Sequence, residues 1–508
     1  MSDSLKQRVF TGTLWMATIS FGQQVLAFVV QIVLARLLVP KDYGVVALVM
    51  TIGSFAVVFS TAGIATALVQ RRELPRPVID AAATITGGIA ILLGGSIFVA
   101  SNVIASYYAL PEMAFLLRLV AFDVFLKVMI SLYDSLMLRD LRYRALSIRT
   151  FTSVMIQSAV SILLAAWGYG AKSLVIGYLS GSITLLTMSI VATRYVPRSF
   201  GDFGEVRGVF KFGAWILLGR IVNQAAVVLD QMVIAKVLNA FSLGLINVSK
   251  NLTGIVPNTI VGFAGRVTLP IFSRWQDDLP RIELAYWRGL RINMMVVFPV
   301  CVLVGLFSHQ ILSLLYGAKW LDGDILMKIL AVQVAVVSID SGYSGSVINA
   351  IGKPKYGTIV MVISLFLIPG FVYVGSFWGM IGVAWGMVAY GAVFFVVNQL
   401  ILRYLCRFRI SRIPAMLMRA LITVLPMLVG GIGLVLCGVL PCGRPPAVLS
   451  FDWFMLGLRM VGSVLACLCV YCVTAYLIMR DDFLFMWNGV CVALKRKRFV
   501  QSEDGFGI

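Results

Sequence analysis

The sequence predicts an all-α membrane protein with about fourteen transmembrane helices of ~20 residues each, on three observations. Of the 508 residues, 60% are hydrophobic and only 13% are charged, whereas soluble domains have roughly 45–50% apolar and ~25% charged residues. Apolar stretches long enough to cross a ~30 Å hydrocarbon core recur along the whole chain. The ~10-residue segments of alternating polarity that are typical of membrane strand barrels do not occur.

The predicted spans follow one another through short loops, which leaves no room for a large soluble domain. The first apolar run is too long for a signal peptide and lacks a small-residue cleavage site, so we expect no cleaved leader. The spans are predicted at 12–35, 43–68, 81–104, 113–136, 148–168, 173–193, 212–235, 242–270, 289–311, 325–348, 356–375, 378–401, 413–436 and 454–478.

The net charge of +20 is distributed by membrane side. With a cytoplasmic N-terminus, most Lys and Arg residues fall in cytoplasmic loops and tails and few fall in outer loops, as the positive-inside rule requires. The basic run Lys495–Arg498 is then expected to anchor the tail to anionic lipid, not to nucleic acid. The chain is therefore predicted to be a multi-pass inner-membrane protein with both termini in the cytoplasm.

Cysteine and histidine usage argues against a metal site. The chain contains eight cysteines and a single histidine, His309. One histidine excludes a multi-histidine metal centre. The three cysteines of the last span are expected to behave as small apolar residues. Cys437 and Cys442 flank an outer loop, and a disulfide between them stays open. We expect no cofactor.

The two halves of the chain align at an offset of 200 residues. The run Gln31–Arg36 matches Gln231–Lys236, and Gly44 matches Gly244. Six spans, an even number, separate equivalent positions, so the copies run in the same direction and are related by an axis along the membrane normal. Further matches join Phe10 to Phe210, Trp15 to Trp215, Gln24 to Gln224 and Leu38 to Leu238.

This repeat predicts a division of the chain into two six-helix lobes with an appendage. The expected segments are a cytoplasmic N-terminus (1–11), a first lobe with spans one to six (12–193), a cytoplasmic linker (194–211), a second lobe with spans seven to twelve (212–401), spans thirteen and fourteen (413–478) and a basic cytoplasmic tail (479–508).

Polar side chains inside the spans form stripes, although a charge at mid-bilayer costs at least ~2.5 kcal/mol. Helical periodicity aligns those of spans seven and eight on one face of each helix and predicts a wet, basic cavity in the second lobe. The cavity candidates are Arg220, Asn223, Gln224, Asn247, Lys250, Asn251 and Arg266, with Gln24 and Gln31 of span one. The alternative is that Arg220 and Arg266, and less readily Lys250, extend to the headgroups.

Buried acidic residues are the candidates for proton or Na⁺ coupling. Asp230 borders the span-seven stripe and either couples an ion or pairs with a cavity cation. Asp123 precedes Lys127 by one helical turn, so it either forms a self-contained pair or lines the cavity. Asp340, like Lys328 and Arg459, is a single charge, and of these three it is the one expected to matter most.

Catalysis is not expected. No G-x-x-x-x-G-K-[ST] motif is present, which excludes ATP hydrolysis by a P-loop. No outer loop is long enough for a catalytic domain, and no paired outer-loop carboxylates of the kind needed for sugar transfer are present. Transport is the function class that remains.

Six segments along the chain form a recognisable series. They are Ala35–Gly44, Gly63–Gln70, Gly244–Leu252, Leu269–Arg274, Tyr316–Trp320 and Ile351–Lys355. In this order and spacing, which are more specific than any single motif, they resemble the Wzx-like polysaccharide flippases of the multidrug/oligosaccharidyl-lipid/polysaccharide exporter superfamily. The resemblance is strongest to the colanic-acid and teichuronic-acid exporters and extends to about residue 410.

The resemblance implies a V-shaped pair of six-helix bundles that works by alternating access in a bacterial inner membrane. It implies an undecaprenyl-pyrophosphate-linked oligosaccharide as substrate, moved to the periplasmic leaflet for exopolysaccharide or lipopolysaccharide synthesis, with polymerase and export machinery as partners. By position, Arg220, Lys250 and Arg266 would hold the pyrophosphate. The alternatives are a cation-coupled multidrug exporter of the same superfamily and a non-transporting scaffold or sugar-transfer component of polysaccharide assembly.

Overall fold

The computed structural model describes residue 19 and residues 22–61, 75–197, 207–340, 342–437, 439 and 451–485. Within these ranges the side chains of 60–61, 207–220, 223, 258, 260–261, 263–267 and 451–453 are not described. The described part is helical and contains no strand, which confirms the predicted all-α class. Ten of its helices are long and apolar enough to cross a membrane.

Each predicted span overlaps a described helix. The helices are α1 (Gly22–Leu37), α2 (Pro40–Thr61), α3 (Arg76–Tyr107), α4 (Pro111–Arg139), α5 (Tyr143–Ala166), α6 (Ala171–Thr193), α7 (Arg207–Val237), α8 (Ala240–Arg274), α9 (Leu279–Leu306), α10 (Asp324–Ser338), α11 (Tyr343–Ala350), α12 (Pro354–Ser376), α13 (Gly379–Cys406), α14 (Arg412–Leu436) and α15 (Phe451–Ile478). A short helix at Ser308–Ile311, a π-turn at Leu312–Tyr316 and a 3₁₀ turn at Ala318–Gly323 join α9 to α10.

Proline and capping residues set several helix starts. Pro40, Pro111 and Pro354 are the first residues of α2, α4 and α12, a position where the missing N–H and the fixed φ of proline fit. Asp278 precedes α9, and its Oδ1 accepts a hydrogen bond from the Arg281 N–H at 3.1 Å. This cap starts α9 ten residues before the predicted span, because the first turns of α9 are amphipathic and not apolar.

The sequence predicts one continuous helical span at 325–348, but the structure has two helices there. Helix α10 ends at Ser338 and α11 begins at Tyr343. Gly342 between them has a φ of 80°, a left-handed conformation that glycine adopts without steric cost. The break places Asp340 at a point where the helical hydrogen-bond ladder is interrupted.

The described chain divides into two compact units. Unit 1 contains residues up to Asn247 and Met361–Ser376, and unit 2 contains Val248–Val360 and the residues from Phe377 onward. In unit 1, α3 packs on α4, α5 packs on α6, and α2 contacts both α4 and α7. In unit 2, α9 packs on α10 and α14, α10 packs on α13, and α14 packs on α15.

The helix boundaries in unit 1 follow the 200-residue offset. Helix α1 ends at Leu37 and α7 ends at Val237. Helices α2 and α8 begin at Pro40 and Ala240 and approach closely, since a Cβ on Gly44 would overlap the Ala240 carbonyl oxygen and a Cβ on Gly244 would overlap that of Pro40. Equivalent residues thus make equivalent contacts, as a local two-fold axis between α2 and α8 requires.

Candidate functional site

The polar face of α7 is directed toward α2 in unit 1. Gln224 Nε2 donates a hydrogen bond to Ser54 Oγ at 3.0 Å, and Thr51 Oγ1 donates one to Gln231 Oε1 at 2.5 Å. The two glutamines are seven residues, or two helical turns, apart and share one face of α7. Both amides are thus engaged by hydroxyl groups of α2.

The other stripe residues of unit 1 lie in mixed surroundings. Gln24 is exposed and Gln31 is half-buried on α1, and Asp230 is buried on α7. Asn247 is half-buried, and its Nδ2 makes no hydrogen bond to another described residue. The side chains of Arg220 and Asn223 lie outside the described part.

The part of α8 in unit 2 carries the remaining predicted cavity residues. Lys250 is half-buried and Asn251 is exposed. The side chain of Arg266 lies outside the described residues. A basic cavity therefore stays a prediction, in which Lys250 is the one cation with a described side chain.

Asp123 joins two helices of unit 1. Its side chain is 2% exposed, and Oδ2 lies 2.7 Å from Lys127 Nζ. Ser182 on α6 donates a hydrogen bond to Oδ1 at 2.5 Å. The carboxylate is thus paired with a lysine of its own helix, and the Ser182 hydrogen bond links α4 to α6. This geometry favours the self-contained pair over a cavity-lining role.

Asp340 is the centre of a buried polar network at the break between α10 and α11. Oδ1 accepts hydrogen bonds from Tyr286 Oη at 2.9 Å and from the Ser344 N–H at 3.1 Å. Oδ2 accepts from Ser344 Oγ at 2.5 Å, and Gln399 Nε2 donates to Tyr286 Oη at 2.7 Å. The carboxylate thus links α9 to α11, and Tyr286 extends the network to α13.

The Asp340 network contains no cation within the described ranges, since no Lys or Arg lies within 4 Å of this carboxylate. Asn293 on α9 satisfies the freed carbonyl of Ser338 by donating its Nδ2–H. Interrupted helices in transporters are places where backbone and side-chain oxygens become available for ions. Of the three acidic residues predicted to couple an ion, Asp340 is the one at an interrupted helix.

Two buried charges were not recognised as such from the sequence. Arg149 lies at the start of the predicted span 148–168, and it is buried on α5, where it contacts Asp134 of α4 and Ser189 of α6. Asp80 is buried on α3 and accepts a hydrogen bond from Tyr195 Oη at 2.6 Å. Asp134 and Tyr195 each lie far from their partner in sequence, so no local spacing identifies these pairs.

Lys328 was interpreted as a single charge, and this was wrong. Its Nζ lies 2.8 Å from Asp324 Oδ2, one helical turn earlier on α10. Ser308 Oγ also donates to this carboxylate. Asp324 lies one residue before the predicted span, so it was not counted among the polar residues of the span.

Unit 2 also has an apolar cavity of about 940 Å³ that is open to the surface of the helices. It lies among α9, α10, α13 and α14, and Lys328 is the one charged residue among those that line it. Representative walls are Phe298, Val332, Phe395 and Leu421, one from each helix. No sequence motif signals this cavity, because apolar residues that line it are indistinguishable in sequence from those that face lipid.

The described residues contain no cluster of three His, Cys, Asp or Glu side chains placed to hold a metal ion. Cys437 is exposed, and Cys442, its possible disulfide partner, lies outside the described residues, as do the N-terminal eleven residues and 486–508.

Comparison with known proteins adds three findings. A family model described as "Polysaccharide biosynthesis protein" matches residues 33–323. The chain is 24% identical to the lipopolysaccharide biosynthesis protein WzxC of Escherichia coli (strain K12), over 75% of this chain and 78% of that protein. It is 24% identical to the teichuronic acid biosynthesis protein TuaB of Bacillus subtilis (strain 168), over 70% of this chain and 74% of that protein.

Among solved structures, the fold is similar to that of the lipid II flippase MurJ in an inward closed conformation. The TM-score is 0.69 at 15% sequence identity, over 92% of this chain and 99% of that chain. At this identity the likeness concerns the fold alone.

Proposed function

The chain belongs to the polysaccharide biosynthesis protein family, and on that premise we propose that it is a flippase for lipid-linked oligosaccharides. It moves undecaprenyl-pyrophosphate-linked repeat units from the cytoplasmic to the periplasmic leaflet by alternating access. The family match, the relatives named for lipopolysaccharide and teichuronic acid biosynthesis and the flippase-like fold support a transporter rather than an enzyme.

The apolar cavity of unit 2 is the structural observation that carries this proposal. A cavity of about 940 Å³ lined almost wholly by apolar side chains is suited to a hydrocarbon chain, because a polar ligand would lose its water without gaining hydrogen bonds. A substrate with a long prenyl tail needs such a surface, whereas a free sugar does not. The lipid half of the substrate therefore has a site in unit 2.

The head group needs a polar path instead. We assign its pyrophosphate to Arg220, Lys250 and Arg266, since guanidinium and ammonium groups form charge-assisted hydrogen bonds with phosphate oxygens. The amides Asn223, Gln224, Asn247 and Asn251, with Gln24 and Gln31, are assigned to the sugars. Hydroxyl-rich sugars exchange hydrogen bonds with amides at little net cost.

Coupling to H⁺ or Na⁺ is assigned to Asp340 in preference to Asp123 and Asp230. Protonation of Asp123 would break an ion pair with Lys127 at 2.7 Å, whereas Asp340 is held by neutral donors. A carboxylate in neutral surroundings changes charge without breaking an ion pair. The polymerase and export machinery that consume the flipped repeat unit are the proposed partners.

The experiment that tests the function uses a host strain deleted for this chain. Lipid-linked repeat units and exported polysaccharide are quantified together. We expect complete, unpolymerised repeat units to accumulate on the cytoplasmic leaflet while export is lost. Normal export without accumulation would contradict the flippase assignment, and increased drug sensitivity of the same strain would favour the multidrug exporter.

The cavity assignment is tested by Lys250→Ala, with Lys355→Ala as the matched control. Lys355 is exposed at the start of α12, so its loss removes the same charge from the surface. We expect Lys250→Ala to reduce export at least tenfold at normal membrane levels of the protein and Lys355→Ala to leave export unchanged, with polysaccharide measured in the complemented deletion strain. Equal export in the two variants would remove Lys250 from the substrate path.

A further inference from the structure

A second, smaller pocket lies in unit 2 at the end of the helices where α9 and α14 begin and α15 finishes. Its volume is about 370 Å³. Trp287 and Arg291 of α9, Arg412 and Arg419 of α14, and Arg480 and Asp482 just after α15 are among the residues that line it. It is separate from the apolar cavity and from every residue assigned above to the transport path.

The charge balance of this pocket is positive. Asp482 Oδ2 lies 3.0 Å from Arg291 Nε, so this pair is internally neutral. Asp481 is the other acidic residue of the lining. Arg412 and Arg419 form no ion pair with any described carboxylate, and both line the opening together with Arg480. The surplus is two positive charges facing one small volume.

The two α14 arginines are spaced to act together. They are seven residues apart, which places them on the same face about 10 Å apart along the helix axis. Ala415 and Met416 lie between them and also line the pocket. The small side chain of Ala415 leaves room between the two guanidinium groups, and buried Trp287 and Met416 close the inner wall.

The walls of the pocket are fixed by hydrogen bonds between the helices. Tyr471 Oη of α15 donates to the Met295 carbonyl of α9 at 2.5 Å, and Thr474 Oγ1 of α15 donates to the Thr423 carbonyl of α14 at 2.8 Å. Glu283 Oε1 accepts from Trp287 Nε1 at 3.1 Å. A pocket with fixed walls binds a ligand without the entropic cost of ordering them.

From this geometry we infer that the pocket binds the phosphate group of a membrane lipid. Arginine forks match phosphate oxygens in two parallel hydrogen bonds, and basic pockets between transmembrane helices at the cytoplasmic side bind anionic head groups. In the predicted topology this end of the three helices is cytoplasmic. The phosphate belongs either to an anionic phospholipid or to a polyprenyl pyrophosphate held at the leaflet where the substrate is made.

The test is native mass spectrometry of the full-length purified protein with phosphatidylglycerol, phosphatidylcholine and farnesyl pyrophosphate as probes. The variant is Arg412→Gln/Arg419→Gln, both of whose positions are exposed. The charge-matched control is Lys353→Gln/Lys355→Gln, two exposed lysines at the start of α12 that lie outside this pocket. We expect the wild-type protein to retain phosphatidylglycerol in preference to phosphatidylcholine. The variant should retain about tenfold less phosphatidylglycerol than wild type, and the control should stay within about twofold of wild type.

The two sources of phosphate are separated by competition. If farnesyl pyrophosphate displaces phosphatidylglycerol from wild type but inorganic pyrophosphate at equal concentration does not, the pocket holds a prenyl pyrophosphate. If neither displaces it, the ligand is the phospholipid. Equal retention by variant and control would overturn the inference. Binding is measured without transport, so absence of lipid binding would leave the flippase proposal unaffected. Conversely, a protein that binds the lipid but does not support transport would contradict the flippase proposal and not the lipid site.

Discussion

The two halves of the chain share the same helix junction, between α1 and α2 in the first half and between α7 and α8 in the second. They differ in the surroundings of their buried carboxylates. Both helix junctions fall at positions 200 residues apart, and Gly44 and Gly244 make reciprocal contacts. Asp123 in the first half pairs with Lys127 on its own helix. Asp340 in the second half accepts hydrogen bonds from Tyr286 and Ser344 and has no described cation within 4 Å.

This difference shows that the repeat determines where the helices begin and approach each other, and not which side chains surround a buried carboxylate. Close approach of two helices depends on small residues, and these recur in both halves. Neutralising a buried carboxylate depends on the particular side chains around it, and these do not recur. A charge that alternates during transport is thus easier to place in the second half, where no ion pair has to be broken.

The largest expected effect concerns the reciprocal glycines. Gly44→Ala and Gly244→Ala should each lower the free energy of unfolding by about 3 kcal/mol, because the new methyl group overlaps a backbone carbonyl that cannot rotate away. The measurement is the equilibrium unfolding of purified protein in mixed micelles. Gly88→Ala on α3, with no atom within 4 Å of the added Cβ, is the control and should be neutral or stabilising.

The local two-fold arrangement also requires that the two glycine variants behave alike. Losses that differ by more than about 1.5 kcal/mol would show that α2 and α8 do not share the contact equally, since the single-variant costs of equivalent sites should agree within ordinary scatter.

An intermediate effect is expected at Asp340. Asp340→Ala leaves Tyr286 Oη and the Ser344 donors without their acceptor, which should cost about 2–3 kcal/mol. Asp340→Asn retains an acceptor and should cost less than about 1.5 kcal/mol. Thermal unfolding of both variants is the measurement, together with polysaccharide export in the deletion strain.

Export separates the two roles of Asp340. If this residue couples an ion, Asp340→Asn loses export although it folds, because the amide cannot change its charge. Full export by Asp340→Asn would assign Asp340 to structure alone and would remove the functional difference between the two halves.

The smallest expected effect concerns two Lys–Asp pairs with the same one-turn spacing. Lys127→Met should cost about 1–2 kcal/mol, because the Asp123 side chain is 2% exposed and would lose its ion-pair partner. Lys328→Met should cost about 0.5 kcal/mol, because the Asp324 side chain is 17% exposed and retains access to water.

A double-variant cycle measures these couplings. Lys127→Met combined with Asp123→Asn should recover about 1 kcal/mol relative to the sum of the two single variants. A coupling energy at Lys127 no larger than at Lys328 would contradict the assignment of Asp123 to a buried, compensated ion pair.

Much of the fold could be predicted because membrane helices can be identified in a sequence by the length and hydropathy of their apolar segments. The Asp123–Lys127 pair was also predictable, since an i, i+4 spacing specifies contact within one helix. The partners Ser182 of Asp123, Tyr286 of Asp340 and Asp134 of Arg149 were not. They join different helices, and a single sequence gives no information on which faces of two helices meet.

The sequence by itself determined the helical class, the spans, the 200-residue repeat and the family resemblance, because each depends on local composition or on order along the chain. Only the tertiary structure decided that α10 breaks before α11 around Asp340, that Arg149 is buried, and that unit 2 has both an open apolar cavity and a separate basic pocket. Cavities and buried pairs arise where several helices pack side by side. Their geometry depends on distances between residues remote in sequence, which hydropathy and spacing do not encode.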